Sequence, residues 1–143
     1  FAHEPVMAML SYSNFGSDKQ GSPLKVHEAI DFLHKTYPDM VVDGEMQVNF
    51  ALDKKLRDDM YPFNKLKGQD VNTLIFPNLS SANSAYKLLD TLGITETIGP
   101  IQMGLNKPIH FTDVESSTRD IVNLTTVAVV DAIVQEQIEK ENR

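Results

Sequence analysis

The sequence predicts an α/β fold with a mainly parallel sheet, helices on both faces and a long carboxyl-terminal helix. Short apolar runs begin at Val6, Met40, Val71 and Ile94, and segments of helical length separate them. This alternation is typical of βαβ units. Strands that carry continuous apolar runs are typically buried on both faces of a parallel sheet. We therefore expect four to five strands.

The first βα unit is the most regular part of the chain. Residues 6–12 form a short apolar run, which predicts a buried strand. A helix is predicted over residues 23–36, because proline suits the first turn of a helix. Val26, Ile30 and Leu33 keep helical spacing and form the predicted buried stripe.

The middle of the chain predicts a second strand over residues 40–42, which ends in a turn at Asp43-Gly44. A helix follows over residues 47–60. Its charged residues 53–59 indicate a face exposed to solvent.

A third strand is predicted over residues 71–76, and a fourth over residues 94–98. The helix between them has Ser80 or Ser81 as its N-cap, and Gly93 terminates it.

The last helix is predicted to start after Ser117 and to run to about Lys140, because Ser117 and Asp120 have the spacing of a capping box. Its apolar residues occupy more than one face, which indicates burial on several sides. We favour burial against a second subunit, and so a homodimer, over burial in one large core. The apolar positions are Ile121, Val122, Leu124, Val127, Val129, Val130, Ile133 and Val134.

Composition excludes several classes of function. With 143 residues and 41% apolar content, the chain is expected to form a single domain over residues 1–143. A net charge of -7 excludes nucleic acid as a partner. The absence of cysteine suits the cytoplasm, and we expect no membrane helix. The four histidines form no metal-binding motif, so no metal site is expected.

Two loops are candidates for ligand binding. Gly99, Pro100, Ile101 and Gln102 follow the predicted fourth strand, and ligands of open α/β sheets bind outside the carboxyl ends of strands. Residues 14–22 form either an anion-binding loop before a helix or, as we favour, an ordinary polar βα loop.

Blocks along the whole chain resemble the phosphotransacetylase family, whose members exchange acetyl groups between coenzyme A and phosphate. Within that family, the sequence is most similar to the carboxyl-terminal domain of the large bacterial hybrid malic enzymes. The blocks include Ala8-Met9-Leu10-Ser11-Tyr12-Ser13, Asp43-Gly44-Glu45-Met46-Gln47, Ile75-Phe76-Pro77-Asn78-Leu79, Gly99-Pro100 with Lys107-Pro108, and Arg119-Asp120-Ile121-Val122-Asn123.

The resemblance implies a fold like that of isocitrate and isopropylmalate dehydrogenases, and a site in which a serine and an arginine stabilise the transition state while an aspartate acts as base. An ungapped comparison puts Asp113 at the serine position, Val114 at the arginine position and Asp120 at the aspartate position. A valine supplies no cation for acetyl phosphate, so we expect no catalytic residues. The ligand-binding positions are then Ser13, Gly99, Pro100, Ile101, Gln102, Lys107 and Asp120.

The resemblance further implies that the chain is part of a longer protein. The expected function is a non-catalytic regulatory domain that binds acetyl-CoA or CoA and dimerises, whereas NADP and a divalent metal belong to a malic enzyme domain outside this chain. The alternative is a fragment of an active phosphate acetyltransferase. The sequence gives neither the sign nor the size of any regulation.

Overall fold

The computed structural model describes residues 3–94 and 96–141. The chain divides into two compact units, which are Phe1–Leu88 and Leu89–Arg143. The prediction of a single domain over the whole length stays a prediction. The elements in chain order are β1 (Met7–Leu10), α1 (Gly21–Thr36), β2 (Val42–Met46), α2 (Val48–Leu52), α3 (Lys54–Met60), β3 (Thr73–Ile75), α4 (Leu79–Thr91) and α5 (Thr118–Glu141).

The sheet of the first unit has the order β2-β1-β3, and both of its strand pairs are parallel. Helix α1 packs on β1 and β2, and α2 packs on β1. The predicted α/β class with a parallel sheet and a long final helix is thus confirmed. The apolar core of the first unit connects the sheet, α2 and the loop after α3. It consists of Ala8, Leu10, Met46, Ala51 and Leu66.

The described residues form three strands, so the expected number of four to five is wrong. No strand covers residues 94 and 96–98, and Thr95 lies outside the described residues. Side-chain bonds tie this segment to its neighbours instead. The hydroxyl of Thr97 donates to Asp90 over 2.6 Å, and Arg119 donates to Glu96 over 2.6 Å.

Strand β2 is longer than predicted, because Asp43 and Gly44 lie within it instead of forming a turn. The Asp43 carboxyl group accepts hydrogen bonds from the backbone N–H of Gly44 and of Lys65, which satisfies it inside the protein. Gly44 has a φ of +150°, and a Cβ there would lie 2.5 Å from the carbonyl oxygen of Met9. The position therefore requires glycine.

The predicted helix over residues 47–60 is broken at Asp53 into α2 and α3. Asp53 has an extended backbone, and its side chain accepts the N–H of Leu56, so it caps α3. The exposed charged face expected over residues 53–59 is wrong for Arg57, which is fully buried. Its guanidinium group donates to the backbone carbonyls of Leu66 and Gln69.

The N-cap predicted for α4 is wrong, whereas the capping box predicted for α5 is confirmed. Asn78, not Ser80 or Ser81, caps α4, because its side chain accepts the N–H of Ser81 at 3.0 Å. The capping box of α5 is confirmed, since Ser117 donates to Asp120 and the N–H of Asp120 donates back to Ser117.

Helix α5 is long and apolar enough to cross a membrane, with a mean hydropathy of 1.3 over an 18-residue window. The expectation of no membrane helix stays a prediction. Length and composition alone are weak evidence for a membrane, because a helix packed inside a soluble protein has the same properties.

Candidate functional site

A cavity of about 670 Å³ opens at the carboxyl ends of all three strands. Residues just after each strand line it: Ser11 after β1, Gln47 after β2 and Phe76 after β3. Its volume falls within the range of about 300–1,000 Å³ that is typical of small-molecule sites. All of the lining residues belong to the first unit: Leu10, Ser11, Tyr12, Ser22, Gln47, Val48, Asn49, Phe76, Pro77, Asn78 and Ser81.

The chemistry of this cavity is mainly apolar with a few neutral polar groups. Among the described residues that line it, none is an acid, a lysine, an arginine or a histidine. Several polar groups are already engaged: the amide of Gln47 donates to the carbonyl of Tyr12 at 2.6 Å, and Asn78 caps α4. The cavity thus suits a ligand segment that is apolar with scattered amide or carbonyl groups.

The first turns of α1 and α4 reach this cavity through Ser22 and Ser81. The first N–H groups of a helix lack partners within it, and they carry a partial positive charge. In α4 the side chain of Asn78 already accepts the N–H of Ser81. The N-cap of α1, Gln20, provides no such side-chain bond, so the first turn of α1 favours acceptor oxygens of a ligand.

Ser13 belongs to the loop after β1 and is buried, but it does not line the cavity. Its hydroxyl donates to a carboxyl oxygen of Glu45 at 3.1 Å, lies 2.8 Å from the hydroxyl of Ser17, and accepts the N–H of Asp18 at 3.0 Å. The predicted role of Ser13 in ligand binding stays a prediction, whereas its role in loop structure is visible.

The predicted ligand segment 99–102 and Lys107 belong to the second unit. Gly99 has a φ of +153°, which favours glycine. The N–H of Gln102 donates to a ring nitrogen of His110 at 3.3 Å, and this bond shapes the turn. Lys107 is exposed, and its ammonium group lies 3.6 Å from the carboxylate of Glu139.

Residues 1–129 match the family model described as phosphate acetyl/butaryl transferase. The chain belongs to this family. The curated relatives include both kinds of protein that the resemblance implied, and two solved structures of similar fold are phosphotransacetylases.

Among curated relatives, the NADP-dependent malic enzyme of Salmonella typhimurium is 40% identical over 135 residues, which is 92% of this chain and 17% of that protein. The phosphate acetyltransferase of Clostridium acetobutylicum is 38% identical over 90% of this chain and 38% of that protein. The chain thus spans a minor part of the relatives it matches.

Among solved structures, a phosphotransacetylase from Streptococcus pyogenes aligns with a TM-score of 0.82 at 38% identity, over 92% of this chain and 40% of that chain. The EutD phosphotransacetylase from Staphylococcus aureus aligns with a TM-score of 0.80 at 32% identity.

The resemblance puts three further residues, Asp113, Val114 and Asp120, at the serine, arginine and aspartate positions of the phosphate acetyl/butaryl transferase family. Val114 is fully exposed, and Asp113 accepts the N–H of Val114 at 2.9 Å in a turn. Asp120 caps α5, and the hydrogen bonds from the hydroxyl and N–H of Ser117 lower the pKa of its carboxyl group.

Sequence reasoning did not single out the cavity, although a signal for it is present. Ser11, Gln47 and Asn78 are polar residues at or just beyond the ends of the three strands. The carboxyl ends of neighbouring parallel strands meet at one edge of a sheet, so the convergence of these residues follows from the topology.

Proposed function

We propose that this chain is a non-catalytic, phosphotransacetylase-like regulatory domain of a hybrid NADP-dependent malic enzyme, which binds acetyl-CoA or CoA and dimerises. The observation that carries this proposal is the pair Asp113 and Val114, which stand where the resemblance implies serine and arginine. Acetyl phosphate is an anion, and its transfer needs a cation or aimed donors at the developing charge. Valine provides neither, and an aspartate repels the substrate.

The composition of the cavity supports a CoA thioester as the ligand. The pantetheine arm of CoA is mostly apolar and carries two amide groups, and this matches a wall of apolar side chains with a few neutral polar ones. The phosphates need cations instead. The predicted segment 99–102 in the second unit is the other place proposed for this arm, and Lys107, the nearest basic residue in sequence to that segment, is the phosphate contact for that placement.

The surface of α5 supports the dimer. Its side chains at Val122, Val129, Val130 and Ile133 are each more than half exposed. Apolar residues exposed along one long helix are typical of a surface that a second subunit covers.

A malic enzyme domain joined to this chain is supported by the relatives, because the matching region of the Salmonella typhimurium enzyme is 17% of that protein. In such a protein, NADP and a divalent metal would serve the malic enzyme domain. Binding of acetyl-CoA here would then change the rate of malate oxidation there, through a difference in affinity between two states.

The second candidate is a fragment of an active phosphate acetyltransferase. The relative from Clostridium acetobutylicum favours it, and so does Asp120, which keeps the identity that the resemblance implies for the base. The turnover assay separates the candidates, because both are expected to bind acetyl-CoA in isothermal titration. The regulatory proposal expects no CoA-dependent consumption of acetyl phosphate above background.

Two matched variants sharpen the binding assay. Lys107→Ala is expected to weaken acetyl-CoA binding about tenfold, the loss expected for one charge-assisted contact. Lys140→Ala is its control, because Lys140 is similarly exposed and similarly paired, with Glu136 at 3.9 Å. Equal affinities for the two variants would remove Lys107 from the site.

A third variant tests catalytic silence. Val114→Arg restores a cation at one position but not the adjacent serine, so acetyl transfer is expected to remain at background. Robust turnover by the unmodified chain would overturn the regulatory proposal in favour of the second candidate.

A further inference from the structure

Glu45 is a fully buried carboxyl group at an irregular point of β2. Met9 pairs with Gly44 and Leu10 pairs with Met46, so Glu45 is an extra residue in β2 without a partner in β1. A bulge of this kind redirects a side chain away from the regular pleat. Burial of an unpaired carboxyl group is costly, so its partners indicate what the bulge is for.

Those partners come from the loop over residues 13–18 and from α1. One carboxyl oxygen of Glu45 accepts the N–H of Gly16 at 2.6 Å and the hydroxyl of Ser13 at 3.1 Å. The other oxygen lies 3.2 Å from Nδ1 of His27. The backbone carbonyl of Glu45 also accepts the N–H of Phe15 at 2.7 Å. One residue thus holds three positions of the loop, 13, 15 and 16.

The loop conformation needs this support. Phe15 has a φ of +47°, a left-handed backbone that is unfavourable for an aromatic residue. Its ring contacts Tyr61 and Phe63, with ring centroids 4.8 Å and 5.3 Å away. Strained backbone of this kind persists only where surrounding contacts determine it, and such positions cluster at ligand sites.

The loop connects two walls of the cavity described above. Ser11 and Tyr12 line the cavity immediately before the loop, and Ser22 lines it in the first turn of α1, four positions after the loop ends. A change in the loop is therefore expected to move both walls. None of the bonds from Glu45 itself reaches into the cavity, since neither Glu45 nor its loop partners line it.

We propose that Glu45 is the positioning residue of this cavity: its carboxyl group fixes the loop over residues 13–18 and, through it, the separation of the walls at Tyr12 and Ser22. The consequence for affinity rests on the ligand binding proposed above. The consequence for the loop does not, so the two are measured separately.

The test compares Glu45→Ala and Glu45→Gln with the control Glu28→Ala, which removes an exposed glutamate next to His27. Hydrogen exchange of individual amides, measured by NMR, reports the loop, and titration with acetyl-CoA reports the affinity. Glu45→Ala is expected to speed exchange about tenfold at Gly16 and Asp18, because their hydrogen-bonded network is lost. The affinity for acetyl-CoA is expected to fall about fivefold.

Glu45→Gln is expected to rescue both readouts to within about twofold, because its amide oxygen still accepts from Ser13 and Gly16 while its N–H can donate to His27. The amide of Tyr37, which donates to the carbonyl of Leu33 at the end of α1, is the internal reference. If Glu45→Ala speeds exchange equally at Tyr37, the residue contributes only general stability, and the proposal is overturned.

Further outcomes are also decisive. Loop exchange that stays unchanged in a folded Glu45→Ala variant overturns the proposal, and so does faster loop exchange with unchanged affinity. If Glu45→Ala does not fold, Ser13→Ala replaces that variant in the test. Ser13→Ala removes the bonds of the Ser13 hydroxyl, while Glu45 keeps its bond to Gly16. Exchange at Asp18 is then expected to be about threefold faster. If the unmodified chain does not bind acetyl-CoA, the ligand proposal fails, and the exchange data alone decide the role of Glu45.

Discussion

Replacement of Arg57 by alanine is expected to destabilise the first unit strongly. Arg57 is fully buried in α3, and one terminal nitrogen of its guanidinium group donates to the carbonyls of Leu66 at 2.9 Å and Gln69 at 2.7 Å. The other terminal nitrogen donates to the carbonyl of Ala51 at 3.4 Å. These bonds join two helices to the loop that precedes β3.

The expected loss follows from the bonds that break. A hydrogen bond from a charged donor contributes about 1.5–3 kcal/mol, and Arg57 makes two short ones to carbonyls. Alanine would leave those carbonyls without their partner and would also leave a cavity. Relief of the cost of burying the charge offsets part of this loss. We expect the free energy of unfolding to fall by about 4 kcal/mol.

Urea denaturation followed by tyrosine fluorescence measures this change in the right part of the molecule. The chain has no tryptophan, and its four tyrosines all precede residue 89, so the signal reports the first unit. Lys55→Ala is the matched control in the same helix. Lys55 is exposed and pairs with Asp59, so its loss is expected to change the free energy of unfolding far less than the loss of Arg57. A loss below about 1 kcal/mol for Arg57→Ala would refute the reasoning.

Three other perturbations have expected outcomes. Gly44→Ala places a Cβ 2.5 Å from the carbonyl oxygen of Met9, so the same urea assay is expected to show a loss of at least about 2 kcal/mol; stability like that of the unmodified chain would contradict this. The lowered pKa of Asp120 means that its bonds to Ser117 stabilise α5 above the pKa of an unfolded aspartate and that this stability is lost as the pH falls through the folded-state pKa. Asp120→Asn is expected to remove that acid-dependent loss of helical circular dichroism, and an unchanged acid profile would argue against the assignment. Val130→Lys, on the exposed face of α5, is expected to weaken self-association at least about tenfold in sedimentation analysis, whereas an unchanged dimer would exclude this face.

Local patterns predicted the elements whose causes are local. The stripe of α1 at Val26 and Ile30 is buried as expected, and the capping box of α5 at Ser117 and Asp120 forms as its spacing indicates. The two residues of the capping box lie three positions apart, so the sequence contains that whole interaction. The stripe has helical spacing, so the sequence shows which face of α1 is buried.

Long-range contacts explain what the sequence did not reveal. Arg57 has the appearance of one more charge on an exposed helix, and only the carbonyls of Leu66 and Gln69 make it a buried residue. Asp43-Gly44 has the pattern of a turn, but Asp43 is satisfied by the N–H of Lys65, 22 positions away. A pattern over neighbouring residues contains no information about such partners.

The candidate site was predicted in part. The rule that ligands bind at the carboxyl ends of parallel strands applies to the cavity, yet it was applied to a fourth strand over residues 94–98 that the described residues do not form. The ligand contacts at Ser13, segment 99–102, Lys107 and Asp120 stay predictions. The dependence of the loop on Glu45 could not be expected, because its partners Ser13 and Gly16 lie 32 and 29 positions away.

The described residues of the cavity wall include no carboxylate, lysine, arginine or histidine, and this determines how ligand binding there depends on pH and ionic strength. Tyr12 is the one titratable side chain among the described lining residues, and its hydrogen bond to Asp18 raises its pKa above the ordinary value, so it stays neutral at any physiological acidity. Contacts between such a wall and an uncharged ligand segment depend little on ionic strength. A ligand whose charged groups bind elsewhere would thus show salt dependence from those groups alone, and a fall in pH within the physiological range would leave its contacts in the cavity unchanged.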